Sequence, residues 1–186
     1  MSGHIERWNQ RYQAGEQVEK SPPQLVVEFA GSVAPGSALD LACGPGRNAL
    51  YLAELGWRVT ALDGSPVAID LLRARAHPRI DARLVDLEAT GLEIAPETFD
   101  LVLSSYYLQR SLIPKIQAGA RPGGIVIAIV HLADADQPQG TPTRARPGEL
   151  SGFFEGWKIL HAYEGQSREA CHQRPVAELV AQKPSE

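Results

Sequence analysis

Apolar and polar positions along this chain change period several times, and each change marks an element. Over residues 4–13, Ile5, Trp8 and Tyr12 recur at helical spacing, and Gly15 closes the segment. Pro22 and Pro23 open a second helical pattern with Leu25, Val26, Phe29 and Ala30 on one side, and Ser21 is placed as its N-cap. After Pro35-Gly36 the pattern becomes a continuous apolar run over 38–43, as in a strand buried on both faces. The spacing then predicts a helix over 47–55, with Ala49, Leu52 and Ala53 on one face and Gly56 at its C′ position. A second strand follows over 57–62. Ser65-Pro66 reads as an N-cap with proline at N1, opening a helix over 66–76 that His77-Pro78 stops.

The second half continues the alternation. Strands are predicted over 82–86, 99–104 and 125–130, with a loop over 88–98. A helix over 110–120 is weakened by Pro114, and Arg121-Pro122-Gly123-Gly124 is a tight turn. Residues 132–147, rich in Asp, Gln, Pro, Gly and Arg, form a long loop of the kind that is often functional or disordered. A short helix over 148–154 and strands over 156–163 and 175–182 complete the chain.

Strands alternating with helices predict an α/β fold. Its sheet is mostly parallel, with right-handed crossovers and helices on both faces. The last two strands lack a crossover helix between them, so an antiparallel C-terminal edge strand is expected. One domain over 1–186 is expected: a helical cap (1–35), a cofactor-binding core (36–131), and a substrate-side loop with the C-terminal strands (132–186).

Composition narrows the function. The 186 residues are 44% hydrophobic and 22% charged, with a net charge of -4. That balance predicts a globular domain with no electrostatic reason to bind nucleic acid. No segment approaches the roughly 18 apolar residues of a membrane span, and no signal-peptide core opens the chain. Cys43 and Cys171 show no metal spacing, so no metal site is expected and a reducing, cytoplasmic setting fits. Oligomeric state is not readable.

The chemistry concentrates where the first apolar run ends. Ala38-Leu39-Asp40-Leu41-Ala42-Cys43-Gly44-Pro45-Gly46-Arg47-Asn48 is strand, acid, glycine turn and helix start, and the second strand ends in Asp63. This is the layout of a nucleotide-type cofactor site, with Asp63 able to accept both hydroxyls of a ribose. Gly44-x-Gly46-x-x-Ala49 also fits a dinucleotide fingerprint, which keeps a nicotinamide-dependent oxidoreductase as an alternative. Asp40 argues against it. A carboxylate beside the turn repels a pyrophosphate and attracts the ammonium and sulfonium of S-adenosylmethionine.

At these residues the chain resembles the class I S-adenosylmethionine-dependent methyltransferases. Leu39 to Asn48 is similar to their motif I, Asp63 falls at the motif II acid, and Asp86 matches the acid on the adenine side. Phe99-Asp100-Leu101-Val102 and Arg121-Pro122-Gly123-Gly124 are also typical, and the resemblance spans residues 6–182. Within that group three features look most like the tellurite-resistance (TehB-like) methyltransferases. These are Gly46-Arg47-Asn48, then Pro147-Gly148-Glu149-Leu150 with Phe154-Glu155-Gly156-Trp157, and His172-x-Arg174. In that family the histidine and arginine are adjacent, whereas Gln173 separates them here.

The resemblance implies S-adenosylmethionine as cofactor and a small-molecule acceptor, an oxyanion such as tellurite or selenite or a thiol. A cofactor-binding module without catalysis is the further alternative. The cofactor set is Arg11, Tyr12, Asp40, Cys43, Gly44, Gly46, Asp63, Gly64, Ser65, Asp86, Leu87 and Ser104. Arg11 and Tyr12 belong to a segment that lies over the cofactor in similar enzymes. Asp86 and Leu87 are placed at the adenine, and Ser104 near the methyl group. Tyr106, Tyr107 and His131 stand at strand ends where ligands bind, with core packing as the other reading. Arg144, Arg146, His172 and Arg174 are the candidates for substrate binding and catalysis. An oxyanion needs cationic donors, and a histidine near neutral pKa can take a proton.

Overall fold

Strand β1 (Ser37–Leu41) has Ala38, Leu39 and Leu41 at 1% exposure or less, which only a strand covered on both faces allows. It is one of seven strands in a computed structural model that describes residues 3–15, 21–134, 139–169 and 174–185. Two compact units divide the chain, residues 1–92 and 93–186.

The first unit begins with α1 (Gly3–Gln13) and α2 (Gln24–Ala30). After β1 come α3 (Arg47–Glu54), β2 (Arg58–Asp63), α4 (Pro66–Arg73) and β3 (Ile80–Leu84). β1 pairs in parallel with β2, Leu41 opposite Leu62, and β2 in parallel with β3, Asp63 opposite Leu84. The amphipathic faces read from the sequence are the buried ones: Ala49, Leu52 and Ala53 on α3, and Ala68, Ile69 and Leu72 on α4. Ser65 caps α4 as expected, accepting the Ala68 amide, with Pro66 in the first turn.

The second unit contains β4 (Phe99–Ser105), a 3-10 turn (Arg110–Leu112), α5 (Ile113–Gly119), β5 (Ala120–His131), α6 (Glu149–Gly152), β6 (Lys158–Gln166) and β7 (Pro175–Gln182). β4 and β5 are parallel; β7 is antiparallel to both β5 and β6. Leu101, Leu103, Ile127, Ile129, Leu150 and Phe154 form the core of this unit. Within the first unit the strand order is β3-β2-β1 and within the second β4-β5-β7-β6, the expected mostly parallel strands with an antiparallel end.

Several boundaries differ from the sequence reading for local reasons. β7 is antiparallel as predicted but sits inboard, and β6 is the edge strand. Ser21 does not cap α2, whose N-cap is Pro23. Pro114 falls in the first turn of α5, where a missing amide is tolerated, so it opens the helix instead of weakening it. α4 stops at Arg73, before His77-Pro78. The turn over 121–124 lies within β5, where the β4 register is irregular between Phe99 and Leu101.

Candidate active site

All of the cofactor candidates except Ser104 lie in the first unit, most of them around the break in β1. The strand stops at Leu41 because Ala42 takes a left-handed conformation (φ 55°), uncommon for a residue with a side chain. Cys43 still donates its amide to the Leu62 carbonyl, at 3.1 Å. Gly44 (φ 54°) and Gly46 (φ 94°) are left-handed as well. A β-carbon on Gly44 would stand 2.9 Å from the Tyr12 hydroxyl, and one on Gly46 would run into Leu72. The turn is a tight cradle in which glycine leaves room for the Tyr12 and Leu72 side chains.

Asp63, the last residue of β2, braces that cradle. One carboxylate oxygen accepts the Gly44 amide and the other the Ser65 amide, each at 2.8 Å. Burial raises its pKa, and those amides oppose the rise. Each oxygen keeps a further lone pair, so a pair of neighbouring hydroxyls can still be accepted.

Asp40 is fully buried in β1, and neither of its oxygens has a hydrogen-bond partner. Burial pushes its pKa up to about 7; the Arg47 charge opposes the rise, the Asp63 charge adds to it, and the Ala49 amide, outside formed hydrogen-bond geometry, lowers it slightly. A buried carboxylate without a donor is costly. It fits a cofactor that brings its own ammonium group, and it does not fit a pyrophosphate.

Helix α1 is fixed over this region. Asn9, 6% exposed, accepts a 2.6 Å hydrogen bond from the Ser65 hydroxyl. A β-carbon on Gly64 would lie 3.1 Å from the Ile5 side chain, so the helix rests on the end of β2. Trp8 and Tyr12 stack with centroids 5.5 Å apart, and the Arg11 guanidinium stands 4.8 Å from the Trp8 ring centre. Burial and the Asp63 charge raise the Tyr12 pKa, which keeps the phenol protonated.

The other cofactor candidates are placed as follows. Cys43 is buried, its thiol donates to the Gly44 carbonyl at 3.5 Å, and burial pushes its pKa well up. That makes it part of the turn and an unreactive thiol. Asp86 and Leu87 lie past the end of β3; Leu87 is buried, and the exposed Asp86 accepts the Glu88 amide at 2.9 Å. In the second unit Ser104 is buried, and its hydroxyl donates to the Tyr107 carbonyl at 3.0 Å, so it ties the turn after β4. Tyr106 is left-handed (φ 58°) and its ring lies 5.3 Å from that of His131.

Of the four basic candidates, the structure brings two together. Arg144 and Arg174 both donate to Asp134, Arg174 at 3.1 Å to one oxygen and Arg144 to the other. Arg146 goes elsewhere, its amide donating to Glu149 at 2.8 Å. His172 lies outside the described residues. Three participants escaped the sequence reading: Asn9, Asp134 and Arg110, which donates twice to Glu149 at 2.7 and 2.9 Å. Only Glu149, within Pro147-Gly148-Glu149-Leu150, carried a signal that pointed to this network.

Known proteins decide the family. The family described as tellurite resistance protein TehB matches residues 10–173. The chain belongs to the TehB family of class I S-adenosylmethionine-dependent methyltransferases. One similar relative is the probable S-adenosyl-L-methionine-dependent methyltransferase TehB of Haemophilus influenzae (strain 10810), 30% identical over 75% of this chain and 52% of that protein. Another is a protein named Hemagglutinin 1 from Eikenella corrodens, 31% identical over 86% of this chain and 58% of that protein. The crystal structure of TehB from Haemophilus influenzae superimposes with a TM-score of 0.75 at 25% identity, over 94% of this chain and 67% of that one. The chain therefore spans about half the length of the curated relatives it matches. Family membership favours S-adenosylmethionine over a nicotinamide cofactor, in agreement with the isolated Asp40.

Proposed function

We propose that this domain transfers a methyl group from S-adenosylmethionine to a small oxyanion of the tellurite or selenite type. The observation that carries the acceptor class is the meeting of Arg144 and Arg174 on one carboxylate, Asp134. Two guanidiniums held by a single three-atom carboxylate have the spacing and donor direction that a small oxyanion needs. Asp134 holds both arginines before an acceptor arrives, and its side chain is 44% exposed, so an entering oxyanion has access to their remaining N–H groups.

When bound, the cofactor supplies a methyl carbon already activated by a positive sulfur. The chain's work is therefore alignment and exclusion of water. Asp40 offers its carboxylate to the ammonium, whose positive charge favours the ionised form. Gly44 and Gly46 let the backbone approach, and Asp63 accepts the ribose hydroxyls while its two amide donors keep it from turning. Tyr12, Trp8 and Arg11 lie on α1 beside the turn, with Arg11 as the candidate partner of the cofactor carboxylate. The lone pair on the oxyanion's central atom is the nucleophile, so a fully ionised acceptor asks for no general base.

The test is steady-state kinetics with selenite as acceptor. Arg144→Ala and Arg174→Ala should each raise the selenite KM by about tenfold, the loss of roughly 1.4 kcal/mol of binding, and leave S-adenosylhomocysteine affinity unchanged. Unaltered KM in both variants would remove the oxyanion reading.

A further inference from the structure

Arg110 opens the 3-10 turn after β4 and was not among the basic candidates read from the sequence. Its guanidinium is nevertheless committed on every side. Nε and Nη2 donate to the two oxygens of Glu149 at 2.7 and 2.9 Å. Nη1 donates to the carbonyls of Thr141 and Pro142 at 2.8 and 3.3 Å, and Nη2 also to that of Arg144 at 3.1 Å. One side chain thus holds three carbonyls of a turn whose ends are themselves paired, Thr141 with Arg144. Glu149 closes the arrangement from the other side. Its side chain is only 5% exposed, and it also accepts the Arg146 amide at 2.8 Å.

Arg144 leaves this turn to reach Asp134. The backbone that Arg110 grips is therefore the backbone that aims Arg144. The next residue, Ala145, is fully buried and exchanges hydrogen bonds with His131 and Ala133 at 2.9 and 2.8 Å, which fixes the far side of the turn to the end of β5. A bidentate guanidinium–carboxylate pair is directional, and lysine cannot reproduce five N–H contacts in a plane.

The geometry points to Arg110 as a positioning residue for the acceptor site: clasped to Glu149, it sets the 141–144 turn so that the Arg144 side chain meets Arg174 at Asp134. This rests on the reading of Arg144 and Arg174 as the oxyanion-binding pair.

The experiment compares Arg110→Lys, Glu149→Gln, Arg144→Ala and the Arg110→Lys/Arg144→Ala double variant of the full chain. The acceptor is selenite, and S-adenosylhomocysteine affinity is measured by calorimetry alongside. Arg110→Lys keeps the charge and should still raise the selenite KM about fivefold to tenfold, with kcat within about twofold and S-adenosylhomocysteine affinity unchanged. In the double variant the KM should match that of Arg144→Ala alone, because both changes remove one interaction. Glu149→Gln should raise KM in the same way, and it takes the place of Arg110→Lys if that chain does not fold. Two results overturn the assignment alone while Arg144→Ala still raises KM: an unchanged KM in Arg110→Lys, or multiplied effects in the double variant. Parallel loss of KM and S-adenosylhomocysteine affinity overturns it as well, since that marks a general structural role. If Arg144→Ala itself leaves KM unchanged, the oxyanion reading fails and this assignment falls with it.

Discussion

The Asn9 carboxamide oxygen accepts a 2.6 Å hydrogen bond from the Ser65 hydroxyl, and that same hydroxyl caps α4 by accepting the Ala68 amide. One buried pair thus clips α1 to the residue two positions after Asp63. Removing the side chain of Asn9 leaves the hydroxyl donor of a residue only 1% exposed without its acceptor. That costs about 1–3 kcal/mol. Asn9→Ala should lower the Tm and weaken S-adenosylhomocysteine binding severalfold, because α1 carries Tyr12 and Arg11. Calorimetry and a thermal scan of the same preparation check both; unchanged affinity would separate α1 from the cofactor.

Asp40 predicts a pH dependence with a definite sign. Its pKa is raised by burial to about 7 in the folded chain, against 3.8 ordinarily. Between those values the folded state holds a proton that the unfolded state has released, so this group's contribution makes the ligand-free protein less stable as pH rises, and the loss levels off above about 7. Asp40→Asn should stabilise the ligand-free protein at pH 8 by on the order of a few kcal/mol, read as a higher Tm. It should have little effect at pH 4. The same variant should bind S-adenosylmethionine more weakly, since the ammonium loses its counter-charge. Stabilisation without loss of affinity would show that Asp40 does not face the cofactor.

Gly44 makes a steric prediction. Alanine there adds a β-carbon 2.9 Å from the Tyr12 hydroxyl and must adopt a φ of 54°. Gly44→Ala should weaken S-adenosylhomocysteine at least tenfold, or about 1.4 kcal/mol. Adding Tyr12→Phe removes the hydroxyl and should recover part of that loss, with the remainder due to backbone strain and crowding of the cofactor. A double variant no better than Gly44→Ala would mean the clash with Tyr12 is not what matters.

The strand and glycine-turn layout of the first unit was legible because its signals are local. Asp40, Gly44, Gly46 and Asp63 lie within two short strands and the turn between them, and Ser65-Pro66 marks a helix start by residue type alone. The ends of those same elements were less legible. Ala42 leaves β1 in a left-handed conformation that nothing about alanine announces. Pro114 reads as a helix breaker until its position in the first turn of α5 is known. Long-range pairs were invisible. Arg110 and Glu149 meet across a loop, and Asp134 was one acid in a polar stretch until Arg144 and Arg174 converged on it. The inboard place of β7 follows from its pairing with both β5 and β6, and strand pattern carries no pairing partner.

The clasp also titrates. Hydrogen bonds from Arg110, with the Arg146 amide and the charges of both arginines, hold the Glu149 pKa down at about 2 against the ordinary 4.5, partly offset by burial. Its stabilising contribution is full above 4.5 and is lost as pH falls through about 2. Thermal scans of wild type and Glu149→Gln should therefore differ most above pH 5 and converge towards pH 2. A Tm gap that stays constant over that range would mean the carboxylate charge is not what the clasp uses.

The most direct measurement is formation of S-adenosylhomocysteine from S-adenosylmethionine by the purified chain, with tellurite, selenite, a small thiol and no acceptor in parallel. The account predicts acceptor-dependent product with tellurite or selenite, abolished or strongly reduced by Arg144→Ala combined with Arg174→Ala. Turnover on the thiol alone, or oxyanion turnover indifferent to both arginines, would contradict it.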